Sequence, residues 1–171
     1  MTSGMDSSIP SREGRYPLRS AVLTMVAMTR PNHILFIVIL FANGVLLGAW
    51  RHSGSLKDSD WLSISLSLGV LILLSMSVHL ANEAVDHETD CLTVRTPFSS
   101  GSGALERSGF TPRTPLMISL ILAALVVVVT ITLVATSLLP PPAGLLIALG
   151  LAGGLAYSLP PTSATRPRRD A

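Results

Sequence analysis

The amino-acid sequence predicts an all-α integral membrane protein whose chain crosses the bilayer four times and keeps both termini in the cytoplasm. Three observations support this prediction. First, 49% of the 171 residues are hydrophobic and only 13% are charged, which is too apolar for an ordinary soluble domain. Second, the apolar residues fall into four long runs. Third, all twelve Lys and Arg residues lie outside these runs.

Each apolar run is long enough to cross the hydrocarbon core as a helix. A helix rises about 1.5 Å per residue, so roughly 17–25 residues span the core of a bilayer. Because lipid offers no hydrogen-bond partners, each segment must pair its own backbone amides, which selects helices. The predicted transmembrane helices are residues 33–50, 61–81, 116–139 and 143–159.

The segments outside the helices complete the domain organisation. Residues 1–29 form a cytoplasmic tail, and residues 30–161 form the transmembrane domain, with an acidic segment and loop at 82–113. Residues 162–171 are a polar C-terminal tail. Within the first tail, apolar residues at helical spacing predict a helix along the membrane surface, although the same stretch also fits a flexible tail. These residues are Leu18, Val22, Met25 and Val26.

The placement of charge predicts the orientation. Ten of the twelve Lys and Arg residues flank one side of the four helices, and only Arg51 and Lys57 lie on the other side. The positive-inside rule places the richer side, with both termini, in the cytoplasm. The composition fits a bacterial inner membrane. Three consecutive prolines, Pro140 to Pro142, separate the last two helices and predict a tight hairpin.

An acidic segment at the cytoplasmic end of the second helix is the strongest candidate site. If the helix continues through it, Asn82, Asp86 and Asp90 lie at i, i+4 and i+8 on one face, with Glu83 alongside. Such a row of carboxylates at a helix C-terminus is unfavourable unless a cation occupies it. Oxygen ligands of this kind suit Mg²⁺. The alternative is a set of acids that merely solvates a helix end.

The loop that follows combines a cation with hydroxyl groups and glycines. Arg95 begins a run through Thr96, Ser99, Ser100 and Gly103. Backbone N–H groups of such a run can turn toward one anion, and a guanidinium pairs with phosphate oxygens in fork geometry. The loop therefore predicts a phosphate cradle, with a generic flexible loop as the alternative.

These motifs resemble a known family. Asn82-Glu83-x-x-Asp86-x-x-x-Asp90 resembles the first aspartate-rich motif of UbiA-type intramembrane prenyltransferases, usually written Asn-Asp-x-x-Asp-x-x-x-Asp. Residues 95–103 are similar to the loop after that motif. Two shorter matches are Arg30-Pro31-Asn32 and the stretch from Ala156 to Pro161. The resemblance implies the N-terminal portion of a UbiA-type bundle, about four of its nine helices.

The resemblance also implies an activity. The family transfers an isoprenoid group from a prenyl diphosphate to a lipophilic acceptor with Mg²⁺, so the expected partners are these two substrates and the lipid bilayer, not nucleic acid. By resemblance, the catalytic residues are Asp86 and Asp90, and the metal ligands are Asn82, Asp86 and Asp90. The expected diphosphate contacts are Asn82, Glu83, Arg95, Arg30 and Asn32.

The chain departs from the family pattern in one respect. No second aspartate-rich motif follows, since the later acids Glu106 and Asp170 are isolated. We therefore expect a second chain to supply that motif, or a truncated relative that is inactive alone. The alternative function is a non-catalytic membrane protein that binds metal or lipid headgroups or assembles with a fuller partner. A CDP-alcohol phosphotransferase ranks lower, because its Asp-Gly-x-x-Ala-Arg opening is missing.

Some polar and small residues within or beside the runs are expected to serve packing. His33 and His79 lie near helix ends, where an imidazole usually snorkels toward the membrane surface or satisfies a neighbour. Asn43 is predicted to face the bundle interior or a cavity, because an amide facing lipid is unfavourable. Two glycine pairs with spacing four predict close helix contacts; they are Gly44 with Gly48 and Gly150 with Gly154.

Overall fold

The structure is a computed structural model that describes residues 18–51, 56–87 and 102–158. The described residues form six α-helices and no strand. The helices are α1 (Leu18–Met28), α2 (Pro31–Arg51), α3 (Asp58–Val85), α4 (Ala104–Ser108), α5 (Arg113–Ala135) and α6 (Pro141–Ser158). Four of them, α2, α3, α5 and α6, are long and apolar enough to cross a membrane. The prediction of four transmembrane helices is therefore confirmed.

The central helix is α3, which contacts α1, α2, α5 and α6 and packs most extensively along α5. Its contact with α5 includes a reciprocal pair of hydrogen bonds between two fully buried serines. Ser77 Oγ donates to Ser119 O at 2.9 Å, and Ser119 Oγ donates to Ser77 O at 2.8 Å. Small hydroxylated residues allow helix backbones to approach closely in a membrane and bond across the interface.

Two groups of buried apolar side chains hold the bundle together. The larger one joins α3, α5 and α6, and the smaller one joins α1, α3 and α4. The larger group is Val70, Ala123, Val126, Leu133, Leu139 and Leu151. The smaller group is Met28, Leu80, Ala104 and Leu105. The short helices α1 and α4 thus cover the same end of the bundle.

The third transmembrane helix ends earlier than predicted, at Ala135 instead of residue 139. Ser137 adopts the left-handed conformation, with φ 58°, and the amides of Leu138 and Leu139 both donate to Leu133 O in a tight turn. The apolar character of this stretch reflects burial in the turn, since Leu139 is 4% exposed. The chain then enters α6 at Pro141, whose fixed φ suits the first position of a helix.

Helix α3 extends four residues beyond the predicted end, to Val85. Its last turns are buried against the neighbouring elements, as Leu80, Ala81 and Ala84 are 1%, 0% and 9% exposed. At the other end, the Asp60 carboxylate accepts a hydrogen bond from the Lys57 amide at 2.8 Å, which stabilises the first turn.

Helix α2 has no buried residue and contacts only the side of α3 to an appreciable extent. The expectation that Asn43 faces the interior is wrong: its side chain is exposed and donates to Ile39 O at 2.8 Å. Bonding to the preceding turn of its own helix removes the need for an interior partner.

The two glycine pairs behave differently. A Cβ at Gly154 would lie 2.6 Å from Val78 Cγ2, so this glycine allows α6 to approach α3 closely, as predicted. Among the described residues, a Cβ at Gly44 or Gly48 would meet no heavy atom of another helix within 4 Å. The pair on α2 therefore makes no close helix contact within this part of the chain.

Candidate functional site

The end of the bundle at which α2 begins and α3 and α6 end carries a buried polar cluster. We call it the motif end, because Arg30, Asn82, Glu83 and Ser158 lie there. Arg30 forms the single-residue link between the turn after α1 and the start of α2. Its backbone is left-handed, with φ 54°, a conformation that is unfavourable by about 1–2 kcal/mol for a residue with a side chain. The adjoining Thr29 is anchored by its hydroxyl, which donates to Val26 O at 2.8 Å.

Glu83 is the centre of this cluster. Its side chain is only 3% exposed. Oε1 accepts a hydrogen bond from Ser102 Oγ at 2.6 Å, and Oε2 accepts one from the Ser102 amide at 3.2 Å. Arg30 Nη2 lies 3.8 Å from Oε2, and the Arg30 side chain is 17% exposed. Glu83 therefore links three segments that are far apart in the chain: the turn before α2, the end of α3 and the segment before α4.

The same arrangement fixes Ser102. Its hydroxyl oxygen accepts a hydrogen bond from the Ala104 amide at 3.0 Å, and its carbonyl accepts one from Arg107 Nη2 at 3.3 Å. Ser102 is the first described residue after position 87, and the Glu83 carboxylate holds it in place.

Asn82 connects α3 to the end of α6. Its Oδ1 accepts a hydrogen bond from Ser158 Oγ, and the same hydroxyl lies 2.8 Å from Gly154 O. A hydroxyl has one proton, so these two acceptors share it. Ser158 is 4% exposed and belongs to the stretch that starts at Ala156, one of the shorter matches in the sequence. Two of the motif segments therefore meet here.

The acidic row predicted at the end of the second transmembrane helix lies only partly within the described residues. Helix α3 ends at Val85, and Asp86 is its C-cap, with its amide donating to Asn82 O at 2.9 Å. The side chain of Asp86 is half-buried. His87 is again helical and Asp90 lies outside the described residues, so the row through Asn82, Asp86 and Asp90 stays a prediction.

Two more residues, Arg95 and Asn32, were predicted to contact the diphosphate. Arg95 lies outside the described residues. Asn32 is exposed in the first turn of α2. Of the predicted diphosphate contacts, the structure thus brings Arg30 and Glu83 together directly, with Asn82 beside Glu83 in the sequence.

The described residues include two of the three predicted metal ligands, Asn82 and Asp86. In the described ranges 18–51, 56–87 and 102–158, no group of three His, Cys, Asp or Glu side chains is placed to hold a metal ion. Asn82 Oδ1 has a second lone pair beyond the one that Ser158 uses, and Asp86 adds a carboxylate. Mg²⁺ requires six ligands in near-octahedral geometry, so Asp90, water or a substrate would have to complete the set.

Two histidines belong to the same cluster. His79 lies one helical turn before Glu83 on α3, and its ring centroid is 5.4 Å from that of His33. The buried atoms His79 Nδ1 and Arg30 Nε have no hydrogen-bond partner among the described residues. Each imidazole was expected to snorkel or to satisfy a neighbour, and the sequence did not predict that the two rings lie together. A signal for it existed in the i, i+4 spacing of His79 and Glu83 and in the closeness of His33 to Arg30.

Two apolar cavities lie elsewhere in the bundle. One of about 520 Å³ lies between α5 and α6 and includes Val127, Ile131 and Leu145 in its lining. The other, of about 720 Å³, lies between α2, α3 and α6 and includes Phe41 and Leu71. Residues of the polar cluster line neither cavity.

No protein-family model, curated protein or solved structure matches the chain significantly. Function is therefore argued from the polar cluster and from the sequence motifs that meet in it.

Proposed function

We propose that this chain is a portion of a UbiA-type prenyltransferase, which transfers an isoprenoid group from a prenyl diphosphate to a lipophilic acceptor. The observation that carries the proposal is the meeting of separate motif segments at the motif end. Arg30 lies 3.8 Å from Glu83, and Asn82 bonds to Ser158. These four residues come from three parts of the chain that the sequence resemblance had singled out independently.

In this proposal the residues have distinct roles. Asp86 and Asp90, with the remaining lone pair of Asn82 Oδ1, would hold Mg²⁺. When bound, the ion supplies positive charge that stabilises the departing diphosphate. Arg30, Asn32 and Arg95 would contact the diphosphate oxygens.

Glu83 has a supporting role in the same scheme. Its carboxylate accepts from Ser102 and lies beside the Arg30 guanidinium. Glu83 thereby orients Arg30 and sets where the loop after the acidic motif returns to the bundle. We propose that it acts on the diphosphate through these two neighbours and not as a metal ligand.

A complete metal site needs further acids. We propose that they come from a second aspartate-rich motif on another polypeptide segment, most simply a second chain. The four apolar helices indicate contact with the lipid bilayer, and we propose the bacterial inner membrane as its location.

The central test is a prenyl-transfer assay on the purified protein, with geranyl diphosphate, candidate lipophilic acceptors and added Mg²⁺. We expect Mg²⁺-dependent product when the chain is combined with the segment that carries the second motif, and about a hundredfold less product with Asp86→Asn. The matched control is Asp60→Asn, at the opposite end of the same helix, which should change turnover by less than about twofold. Equal activity of the two variants, or turnover that survives chelation, would overturn the proposal.

The proposed orientation has its own test, because Cys91 is the sole cysteine. It lies in the loop assigned to the cytoplasm, whereas Lys57 lies on the other side and is exposed. In intact cells, a membrane-impermeant maleimide should label Lys57→Cys in a Cys91→Ser background and leave the parent chain unlabelled. Labelling of Cys91 in intact cells would reverse the assigned orientation.

The contacts of Asn82 and Glu83 also favour a second candidate function. Both side chains are bonded within the protein, as expected in a non-catalytic membrane protein that uses the cluster to bind headgroups or to assemble with a fuller partner. The transfer assay separates the two functions, since this candidate shows no turnover with any acceptor.

A further inference from the structure

Two buried polar atoms of the motif end have no hydrogen-bond partner within the part of the chain that the structure describes. They are Arg30 Nε and His79 Nδ1. The Nε–H group of arginine is always a donor, and Nδ1 of histidine donates in one of the two neutral tautomers. Buried polar groups in native proteins are nearly always hydrogen-bonded, so these two atoms leave room for a partner from outside the described residues.

The two residues that carry these atoms are linked through shared neighbours. Arg30 Nη2 lies 3.8 Å from Glu83 Oε2. His79 precedes Glu83 by one helical turn, so the two residues share a face of α3. The His33 ring lies 5.4 Å from the His79 ring, and the His33 amide donates to Arg30 O at 2.9 Å.

The hydrogen-bonding atoms of this group predict a ligand that accepts hydrogen bonds. Its one carboxylate, Glu83, already accepts two bonds from Ser102. What remains is the guanidinium of Arg30, with its Nε–H unpaired, and two imidazoles. Donors are therefore in excess, and guanidinium groups favour oxyanions that accept two bonds, of which phosphate is the common case.

The backbone of Arg30 supports a functional role. A non-glycine residue in the left-handed region is strained, and such strain persists where the surrounding structure holds a residue for a purpose. Here the strained residue is the one whose guanidinium lies among the unpaired groups.

We propose that Arg30, His79 and His33 form a phosphate-binding site that needs no metal ion, with Arg30 Nε–H and His79 Nδ1–H as its two buried donors. The inference shares Arg30 with the proposed function and deepens it, because it assigns the two histidines to phosphate recognition. The phosphate group would come from a prenyl diphosphate or from a phospholipid headgroup.

The test measures binding of inorganic diphosphate to the full chain in a phosphate-free detergent with EDTA, by ³¹P nuclear magnetic resonance or calorimetry. We expect saturable binding by the parent chain. Arg30→Gln and His79→Phe should each weaken it by about tenfold or more. The matched control, Arg51→Gln, alters an exposed arginine at the other end of α2 and should leave the affinity unchanged.

A stability measurement separates this role from a structural one. Phe retains the size of the imidazole and removes its unpaired nitrogen, so His79→Phe should leave the thermal midpoint unchanged or raise it. His79→Asn, which keeps a polar atom near the position of Nδ1, should retain part of the affinity. A histidine needed only for packing would show a lowered midpoint and unchanged diphosphate binding.

The source of the phosphate is assigned by competition in nanodiscs. If phosphatidic acid displaces diphosphate, the site takes headgroups; if geranyl diphosphate displaces it and phosphatidic acid does not, the site takes the isoprenoid substrate. Absence of diphosphate binding in EDTA, or equal affinity in His79→Phe and Arg51→Gln, overturns the inference. If Asp86→Asn abolishes prenyl transfer but still binds diphosphate in EDTA, both proposals are supported. If the parent chain binds diphosphate but shows no prenyl transfer, this inference stands and the enzyme proposal is refuted.

Discussion

Replacing Glu83 with glutamine tests whether the centre of the polar cluster stabilises the fold. The substitution keeps the size of the side chain and removes its charge. One carboxylate oxygen accepts from Ser102 Oγ at 2.6 Å, and the other accepts from the Ser102 amide and lies 3.8 Å from Arg30 Nη2. Glutamine keeps one acceptor oxygen and replaces the other with an NH₂ group that cannot accept.

The expected loss has two parts. Hydrogen bonds to a charged acceptor contribute about 1.5–3 kcal/mol and neutral ones about 0.5–1.5, so weakening the Ser102 bonds removes about 1 kcal/mol. Removing one partner of a buried ion pair is unfavourable by about 3–5 kcal/mol. Because Arg30 is 17% exposed and its contact with Glu83 is long, we take about 2 kcal/mol for this part. The total is about 3 kcal/mol, or roughly a hundredfold in the folding equilibrium.

The assay is reversible unfolding in mixed micelles, titrated with sodium dodecyl sulfate and followed by circular dichroism. Glu106→Gln is the matched control, because Glu106 is an exposed glutamate on α4 and should change stability by less than about 0.5 kcal/mol. Adding Arg30→Gln to Glu83→Gln should give less than the sum of the single losses, by about 1 kcal/mol. If Glu83→Gln were as stable as Glu106→Gln, the carboxylate would not stabilise the fold as argued.

The remaining predictions concern the helix contacts and use the same unfolding titration. Gly154→Ala should destabilise the protein by about 1–3 kcal/mol, because its Cβ would lie 2.6 Å from Val78 Cγ2. Gly153→Ala is the control, since among the described residues a Cβ there would meet no atom within 4 Å beyond its own stretch of helix. A loss of stability at Gly153 equal to that at Gly154 would contradict the packing. Ser77→Ala should destabilise the protein by about 0.6–1.7 kcal/mol. The double variant Ser77→Ala with Ser119→Ala should lose less stability than the sum of the two single variants. Additive losses would show that the two hydroxyl bonds are independent.

The number and approximate positions of the transmembrane helices could be predicted because the bilayer imposes both a length and a composition on each segment. Their ends could not be predicted from apolarity, since burial against protein and burial in lipid select the same residues. Leu138 and Leu139 extended the third run, yet they pack in the turn before α6. Conversely, Asn82 and Glu83 marked the end of an apolar run although α3 continues past them to Val85.

The sequence predicted the separate segments of the polar cluster but not the contacts between them. Arg30, Asn82 and Glu83 were candidates from their motifs, but the motifs carry no information about which side chains pair. Ser102 lies 19 residues from Glu83 and Ser158 lies 76 residues from Asn82, so their contacts depend on how α4 and α6 pack against α3. The histidine pair was missed for the same reason, because a residue that is ordinary at a helix end acquires its role from a neighbour on another helix.

The one departure from the aspartate-rich pattern explains the geometry of the cluster. A glutamate at position 83 is one methylene longer than an aspartate, by about 1.5 Å, and its Oε1 makes a 2.6 Å contact with Ser102 Oγ while Oε2 faces Arg30. An aspartate on the same backbone would fall short of Ser102 by about that length. The longer side chain therefore ties α3 to the turn before α2 and to the segment before α4, and it does so from within the acidic motif. In the proposed scheme, Asn82 and Asp86 are the ligand oxygens in the described part of the motif. Arg30, held by Glu83, is in that scheme the cation that a phosphate group would meet at this end of the bundle.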